Sequence, residues 1–265
     1  MHAPPRSSLR GTLAWAGLAG GGEEIEGRAV VVSPHLDDAV LSLGAAIARA
    51  AARGAEVTVL TVLAGDPEAR DVAPGAWDAT AGFATAAAAA AARREEDRTA
   101  CELLGARPQW LPYWDRDYGV DRPTARVRAD VRAALGDAGT VLVPGWPLWH
   151  PDHLWVAELA LTEAPVAARL GAYVEQPYAM WELRPEGPIP TDGAGRWRRL
   201  SAALRDRLSK RRAVQAYATQ LPLLGESLHR HLALWEARRG GEHVAWLESV
   251  SPEGRGARET GSSRT

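Results

Sequence analysis

Cysteine is nearly absent from this 265-residue chain: Cys101 stands alone. No intramolecular disulfide and no thiolate metal site can be built from one sulfur. Lysine is as scarce, because Lys210 is the single lysine among 31 basic residues. Together with an alanine richness typified by the run Ala86 to Ala92, this reads as a GC-rich coding bias, so arginine clusters carry no functional weight. No run of about 18 apolar residues occurs, which argues against a membrane-spanning helix. With 33 acidic residues against the 31 basic ones, the formal charge is −2, and no global field points to nucleic acid or a membrane surface. A glycine-rich dinucleotide fingerprint is also missing. Ser33-Pro34-His35 stands where Gly-x-Gly-x-x-Gly would follow the first apolar run, which counts against a nucleotide-binding oxidoreductase.

What is present is ordinary for a globular protein: 46% hydrophobic and 24% charged residues, in a chain long enough for one large α/β domain or two small ones. Residues 27–32 (GRAVVV) form a β-branched run of the kind buried on both faces. Val40, Leu43, Ile47 and Ala51 then recur at helical spacing over residues 39–53, up to Gly54. A second buried strand is expected over residues 55–65, followed by a loop over 65–80 and a helix from Phe83 to Leu104. A strand in PQWLPYW, a helix over Thr124–Leu135 and a strand over residues 139–145 come next. A helix over Leu154–Leu170 and a strand over residues 171–178 complete the alternation. It predicts a Rossmann-like, doubly wound, mostly parallel sheet with helices on both faces and a helical C-terminal region over about 196–236. The arginines of that region read as the solvated face of an amphipathic helix.

The expected organisation is an arm or short helix over residues 1–26, a single α/β domain over 27–250 and a disordered tail over 251–265. The N-terminal stretch GTLAWAGLAGGG, preceded by Arg6 and Arg10, imitates a signal peptide. Its apolar core is short and lacks a small-x-small cleavage site, so a cytoplasmic location is expected.

The chemistry concentrates in two segments. His35-Leu36-Asp37-Asp38 follows the first strand, and His150-Pro151-Asp152-His153 follows a later one. In open parallel sheets ligands gather beyond the carboxyl ends of the strands, and both segments belong there. Two imidazoles and a carboxylate converging suit zinc or ferrous iron, with a coordination position left for water. A divalent cation would also compensate the adjacent carboxylates of Asp37 and Asp38. The plain alternative makes Asp37 or Asp38 one helix cap and Asp152 another. A cap needs one acceptor, and leaves the histidines and the second carboxylate unexplained.

These segments, PHLDD and HPDH, resemble the signatures of the PIG-L/LmbE-like family of metal-dependent de-N-acetylases. Two further stretches resemble it: RREEDRTACELLGA, with Arg93 and Glu96 at Arg-x-x-Glu spacing ahead of Leu-Gly, and KRRAVQAYATQL near the C-terminus. The resemblance spans residues 27 to about 221. It implies His35, Asp38 and His153 as ligands of Zn2+ or Fe2+, Asp37 as general base and His150 as the group that stabilises the tetrahedral oxyanion. It also implies an N-acetylglucosamine-type conjugate as substrate. The family signature usually reads Pro-His-Pro-Asp-Asp-Glu. Leu36 and Ala39 depart from it, and the lost glutamate puts the support around the ligands in question.

Arg93 and Asp115 are candidate contacts for sugar hydroxyls. Trp149, with Trp146 and Trp114, lies on loops where an indole could stack on a sugar, although packing is the favoured role for these rings. A catalytically idle sugar-binding relative with the same pocket is the alternative to an enzyme.

Overall fold

A computed structural model describes residues 22–181, 197–225 and 228–247. The expected N-terminal arm, apart from residues 22–26, and the expected tail lie outside these residues, as does part of the helical C-terminal region. The first strand, β1 (Arg28–Ser33), runs into helix α1 (Asp38–Ala52) and returns as β2 (Glu56–Thr61). Helices α2 (Ala76–Thr80) and α3 (Ala86–Leu104) lead to β3 (Arg107–Trp110), and α4 (Thr124–Leu135) leads to β4 (Thr140–Trp146). Then come α5 (Pro151–Glu163), β5 (Arg169–Val174) and the single turn α6 (Tyr178–Trp181). Strand β6 (Trp197–Arg199) precedes helices α7 (Leu204–Ala216), α8 (Leu221–Leu224) and α9 (Leu228–Arg239), and β7 (His243–Trp246) is the last strand described.

The sheet order is β3-β2-β1-β4-β5-β7-β6. Strands β1 to β5 are parallel, while β7 pairs antiparallel with both β5 and β6. Alternate side chains of β1 show why both faces must be covered. Ala29 and Val31 join a core with Leu43 and Ile47 of α1 and Leu104 of α3, whereas Val30 and Val32 join one with Val131 of α4 and Val156 of α5. Full burial of each valine, leucine or isoleucine among them contributes about 1.5–3 kcal/mol. The doubly wound expectation therefore holds, and chain order reverses between β1 and β4. The two polar segments emerge side by side at that reversal.

Several boundaries differ from the sequence expectation. The helix expected over Leu154–Leu170 begins at Pro151 and ends at Glu163. Pro165 forces extended backbone on Ala164, so the helix cannot continue. Strand β5 then starts at Arg169 and stops at Val174, short of the expected Tyr178. Thr85 caps α3, accepting the N–H of Ala88 at 3.1 Å, so that helix begins at Ala86, not Phe83. Helix α2 occupies part of the expected 65–80 loop. Strands β6 and β7 were not expected: β6 falls within the region read as helical, and strands of three and four residues carry too little periodicity to register.

Candidate metal centre

The turn after β1 is closed by Ser33, whose hydroxyl donates to His35 O at 2.6 Å and accepts the N–H of Ala39 at 3.0 Å. Asp38 opens α1, and its Oδ2 accepts the N–H of His35 at 2.9 Å. Asp37 occupies the capping position, yet its side chain makes no capping hydrogen bond. Its φ of 136° is in the region that L side chains avoid, a strain of about 1–3 kcal/mol that folds retain mainly at functional sites. The cap reading of Asp37 thus fails. Asp152 is not a cap either: His150 caps α5, its Nδ1 accepting the N–H of Asp152 at 3.3 Å.

Three donor atoms meet in a nearly equilateral triangle. His35 Nδ1 lies 3.2 Å from Asp38 Oδ2, His153 Nε2 lies 3.2 Å from the same oxygen, and the two nitrogens are 3.2 Å apart. Ligands about 2.05 Å from a tetrahedral zinc stand about 3.3 Å from one another, so these residues fit a divalent cation. His150 is adjacent: one ring nitrogen from each of His35, His150 and His153 falls within a 4.8 Å group. The trio containing Asp38 is the tighter and brings a negative charge, with His150 as its neighbour.

The remaining nitrogens of His35 and His153 face carboxylates. His153 Nδ1 lies 2.5 Å from Glu175 Oε1, and His35 Nε2 lies 3.6 Å from Asp152 Oδ2. Asp152 is held in turn by Arg122 at 2.6 Å and the N–H of Arg116 at 3.1 Å. Four buried acids, Asp37, Asp38, Asp152 and Glu175, thus surround two imidazoles.

The pKa shifts report this demand for positive charge. Burial alone would lower His35, but its hydrogen bonds to Asp152 and Asp38 and the charge of Asp38 push it up to about 9. Burial opposes the same effect at His153, where the charges of Asp38 and Glu175 prevail and push it up to about 10. Asp38, despite a burial that would raise it, is held far below the carboxylate range by His153 and His35. Asp37 goes the other way: burial, then the charge of Asp38, push it up to about 8. His150 is lowered to about 4 by burial and by its two neighbouring imidazoles. It is therefore neutral at pH 7. The environments of the two adjacent aspartates differ in kind, which is the usual mark of two different roles.

The centre opens into a cleft of about 150 Å³. Its lining combines polar Arg93, Asp115 and Asp117 with the largely apolar Trp77, Tyr178 and Leu224. Arg93 pairs with buried Asp78 at 3.2 Å, and Asp78 also accepts the hydroxyl of Tyr118. Asp115 caps the short helical turn Arg116–Tyr118, accepting the N–H of Asp117 at 2.8 Å. Trp149, 44% exposed, does not line the cleft but meets Tyr178, which does, edge to face at 6.4 Å. Trp114 is buried against Tyr118, Ala86 and Ala90, the packing role favoured from sequence. Sequence reasoning passed over Glu175, Tyr178, Trp77 and Gln220. Trp77 donates through Nε1 to Gln220 Oε1 at 2.7 Å across 143 positions, a pairing that no local pattern announces. Glu175 had one usable signal, a charge immediately beyond a buried strand.

Comparison with known proteins bears on this arrangement. The sequence pattern of the family described as PIG-L, GlcNAc-PI de-N-acetylase, matches residues 30–164. A 1D-myo-inositol 2-acetamido-2-deoxy-alpha-D-glucopyranoside deacetylase from Rhodococcus erythropolis is 34% identical over 167 residues, covering 56% of each chain. The chain thus spans about half the length of the curated relative it matches. Among solved structures it is similar to a deacetylase of the teicoplanin biosynthesis pathway, also seen in a zinc inhibited form (26% identity, TM-score 0.69, 85% of this chain and 99% of that one). It is likewise similar to the A40926 pseudoaglycone deacetylase, with 30% identity and a TM-score of 0.67 over 84% of this chain and 98% of that one.

Proposed function

Because the chain belongs to the PIG-L family of GlcNAc-PI de-N-acetylases, we propose that it is a metal-dependent hydrolase removing the N-acetyl group from an amino-sugar conjugate. The observation that carries this reading is the 3.2 Å triangle of His35, Asp38 and His153, with Asp37 beside it in a different electrostatic state. In this reading those three residues hold the cation and Asp37 stays off it. When bound, a divalent cation there polarises the acetyl carbonyl and acidifies a water.

The chain's own groups supply the rest. Asp37 accepts a proton from the attacking water and passes one to the departing amine. Its carboxyl is raised by burial beside Asp38, so it holds a proton at neutral pH until positive charge occupies the triad and lowers it. His150 accepts at Nδ1 from the N–H of Asp152, which leaves the proton of the neutral ring on Nε2. That N–H is a donor for the developing oxyanion, a contact typically contributing about 3–4 kcal/mol. Arg93 and Asp115 offer a donor and an acceptor to sugar hydroxyls, while Trp77, Tyr178 and, beside Tyr178, Trp149 offer apolar faces.

Leu36 and Ala39, the two departures from the family signature, are both buried in packing and leave the donor triangle complete. This favours an enzyme over an idle binding protein. The relatives named above are, by their names, deacetylases of an inositol-linked 2-acetamido-2-deoxy-glucopyranoside, of the teicoplanin biosynthesis pathway and of the A40926 pseudoaglycone, and an N-acetylglucosamine-type conjugate fits the mixed polar and apolar cleft. Zinc or ferrous iron suits the two imidazoles and one carboxylate, and the zinc inhibited form of a relative is the reason to test both. The test is incubation with N-acetylglucosamine and its aryl, inositol and peptide-linked conjugates, with free amine and acetate both measured. Release of the two in equal amounts from at least one conjugate is expected; release from none would refute the activity.

A further inference from the structure

Glu175 lies one residue beyond β5, its side chain almost fully buried, and both of its carboxylate oxygens are engaged. Oε1 stands 2.5 Å from His153 Nδ1, and Oε2 accepts the N–H of Leu148 at 2.8 Å. Its main chain is fixed as well: its N–H donates to Trp146 O at 2.7 Å, and its carbonyl accepts the N–H of Ala179 at 2.9 Å. The residue therefore ties the end of β5 to the loop after β4 that carries Leu148, Trp149 and His150. Leu148 itself has a φ of 54°, a conformation that a leucine holds only when its surroundings impose it.

We propose that Glu175 is the positioning residue of this centre, setting the tautomer of His153 with one oxygen and the loop that delivers His150 with the other. The chemistry follows from what a carboxylate can do. An ionised carboxylate only accepts, so His153 must present Nδ1–H to it, which makes Nε2, once its own proton is expelled, the lone pair facing Asp38 and His35. Such a carboxylate behind a ligating imidazole also makes the ring a better donor. It supplies the support that alanine at position 39 had put in question, from beyond β5 instead of from α1. The proposal rests on the metal reading above.

Glu175→Gln is a sharp probe because an amide carries one acceptor oxygen and one donor group. It can satisfy either His153 Nδ1–H or the N–H of Leu148, and must turn its NH2 towards the other donor. Zinc affinity of the chelator-stripped protein, measured by competition with a zinc-binding dye, should fall about 10–100-fold in Glu175→Gln, with far-UV circular dichroism unchanged. A variant affinity within about threefold of a zinc-binding wild type overturns the positioning role alone. A wild type that binds neither zinc nor ferrous iron overturns the metal reading and this role with it. Should the variant fail to fold, nitrogen-15 NMR of the zinc-loaded wild type decides, with the His153 signals assigned by their loss in His153→Ala. A protonated Nδ1 and a metal-shifted Nε2 support the role, and the reverse pattern overturns it.

Discussion

Exchanging each of the adjacent aspartates for asparagine should separate metal binding from proton transfer. Asp38 Oδ2 stands 3.2 Å from both ligand nitrogens, so its charge acts on anything held among them. At that separation one pair of unit charges interacts by about 5 kcal/mol at an effective dielectric of about 20, which corresponds to roughly 10³–10⁴ in affinity. Asp38→Asn should therefore lose metal by about that factor, and activity as a consequence. Asp37→Asn removes a carboxylate that sits beside the triad without belonging to it. It should keep the metal and lose about 10²–10⁴ in turnover, the usual contribution of a general acid–base group. Its metal-free form should also be more stable than wild type above neutral pH. In wild type the unfolded carboxyl ionises near its ordinary value, while the folded one holds its proton up to about 8, so folding weakens as pH rises through that interval. The assay is metal content, turnover and melting temperature on the same purified variants. If Asp37→Asn sheds metal while Asp38→Asn keeps it, the two roles are reversed. If both retain metal and activity, the site chemistry proposed here is wrong.

His150→Ala should retain metal and leave KM almost unchanged while kcat falls about 10²–10³-fold, because its contact forms mainly with the oxyanion; steady-state kinetics with metal analysis checks this. Metal affinity should rise steeply with pH between about 6.5 and 9. His35 and His153 are raised to about 9 and about 10 without the cation, so loading expels their two protons and, below about pH 8, the proton of Asp37 as well, as calorimetry in two buffers of different ionisation enthalpy would show. Those raised values also stabilise the metal-free fold below about 6.5, a contribution lost as pH climbs through 9 and 10, so melting of the stripped protein should fall over that range. Lys210→Met should leave Glu236 and Glu242 uncompensated in the interior, at a cost of about 3–5 kcal/mol, lowering the melting temperature by about 10 °C without altering KM of the folded fraction.

Much of the architecture was legible because β-branched runs and 3.6-residue periodicity alternate regularly from Arg28 to Val174. The reversal between β1 and β4 then follows from a doubly wound order, and it brings His35 and Asp38 to His153. Legibility declined where long-range context decides. Pro165 ended α5 earlier than its apolar pattern implied. Strands β6 and β7 are short segments, one at the sheet edge and one beside it, whose partners lie elsewhere in the chain. The N-terminal residues of α5 offered Asp152 as a cap, but His150 caps the helix and Asp152 turns towards His35 and Arg122. Glu175 and Trp77 acquire their meaning from partners at positions 153 and 220, and spacing along a single strand or helix cannot report that. The scarcity of lysine read as coding bias, and nothing local showed that Lys210 is buried between two glutamates that join α7 to α9 and to β7's approach.

The most direct test of the central claim is a metal titration of the chelator-stripped protein, recording amine release from the best conjugate as zinc or ferrous iron is added. The account predicts negligible release without metal and a linear rise that breaks at one equivalent per chain, absent from Asp38→Asn over the same range. Full activity in the stripped protein, or a break at two equivalents, would contradict it.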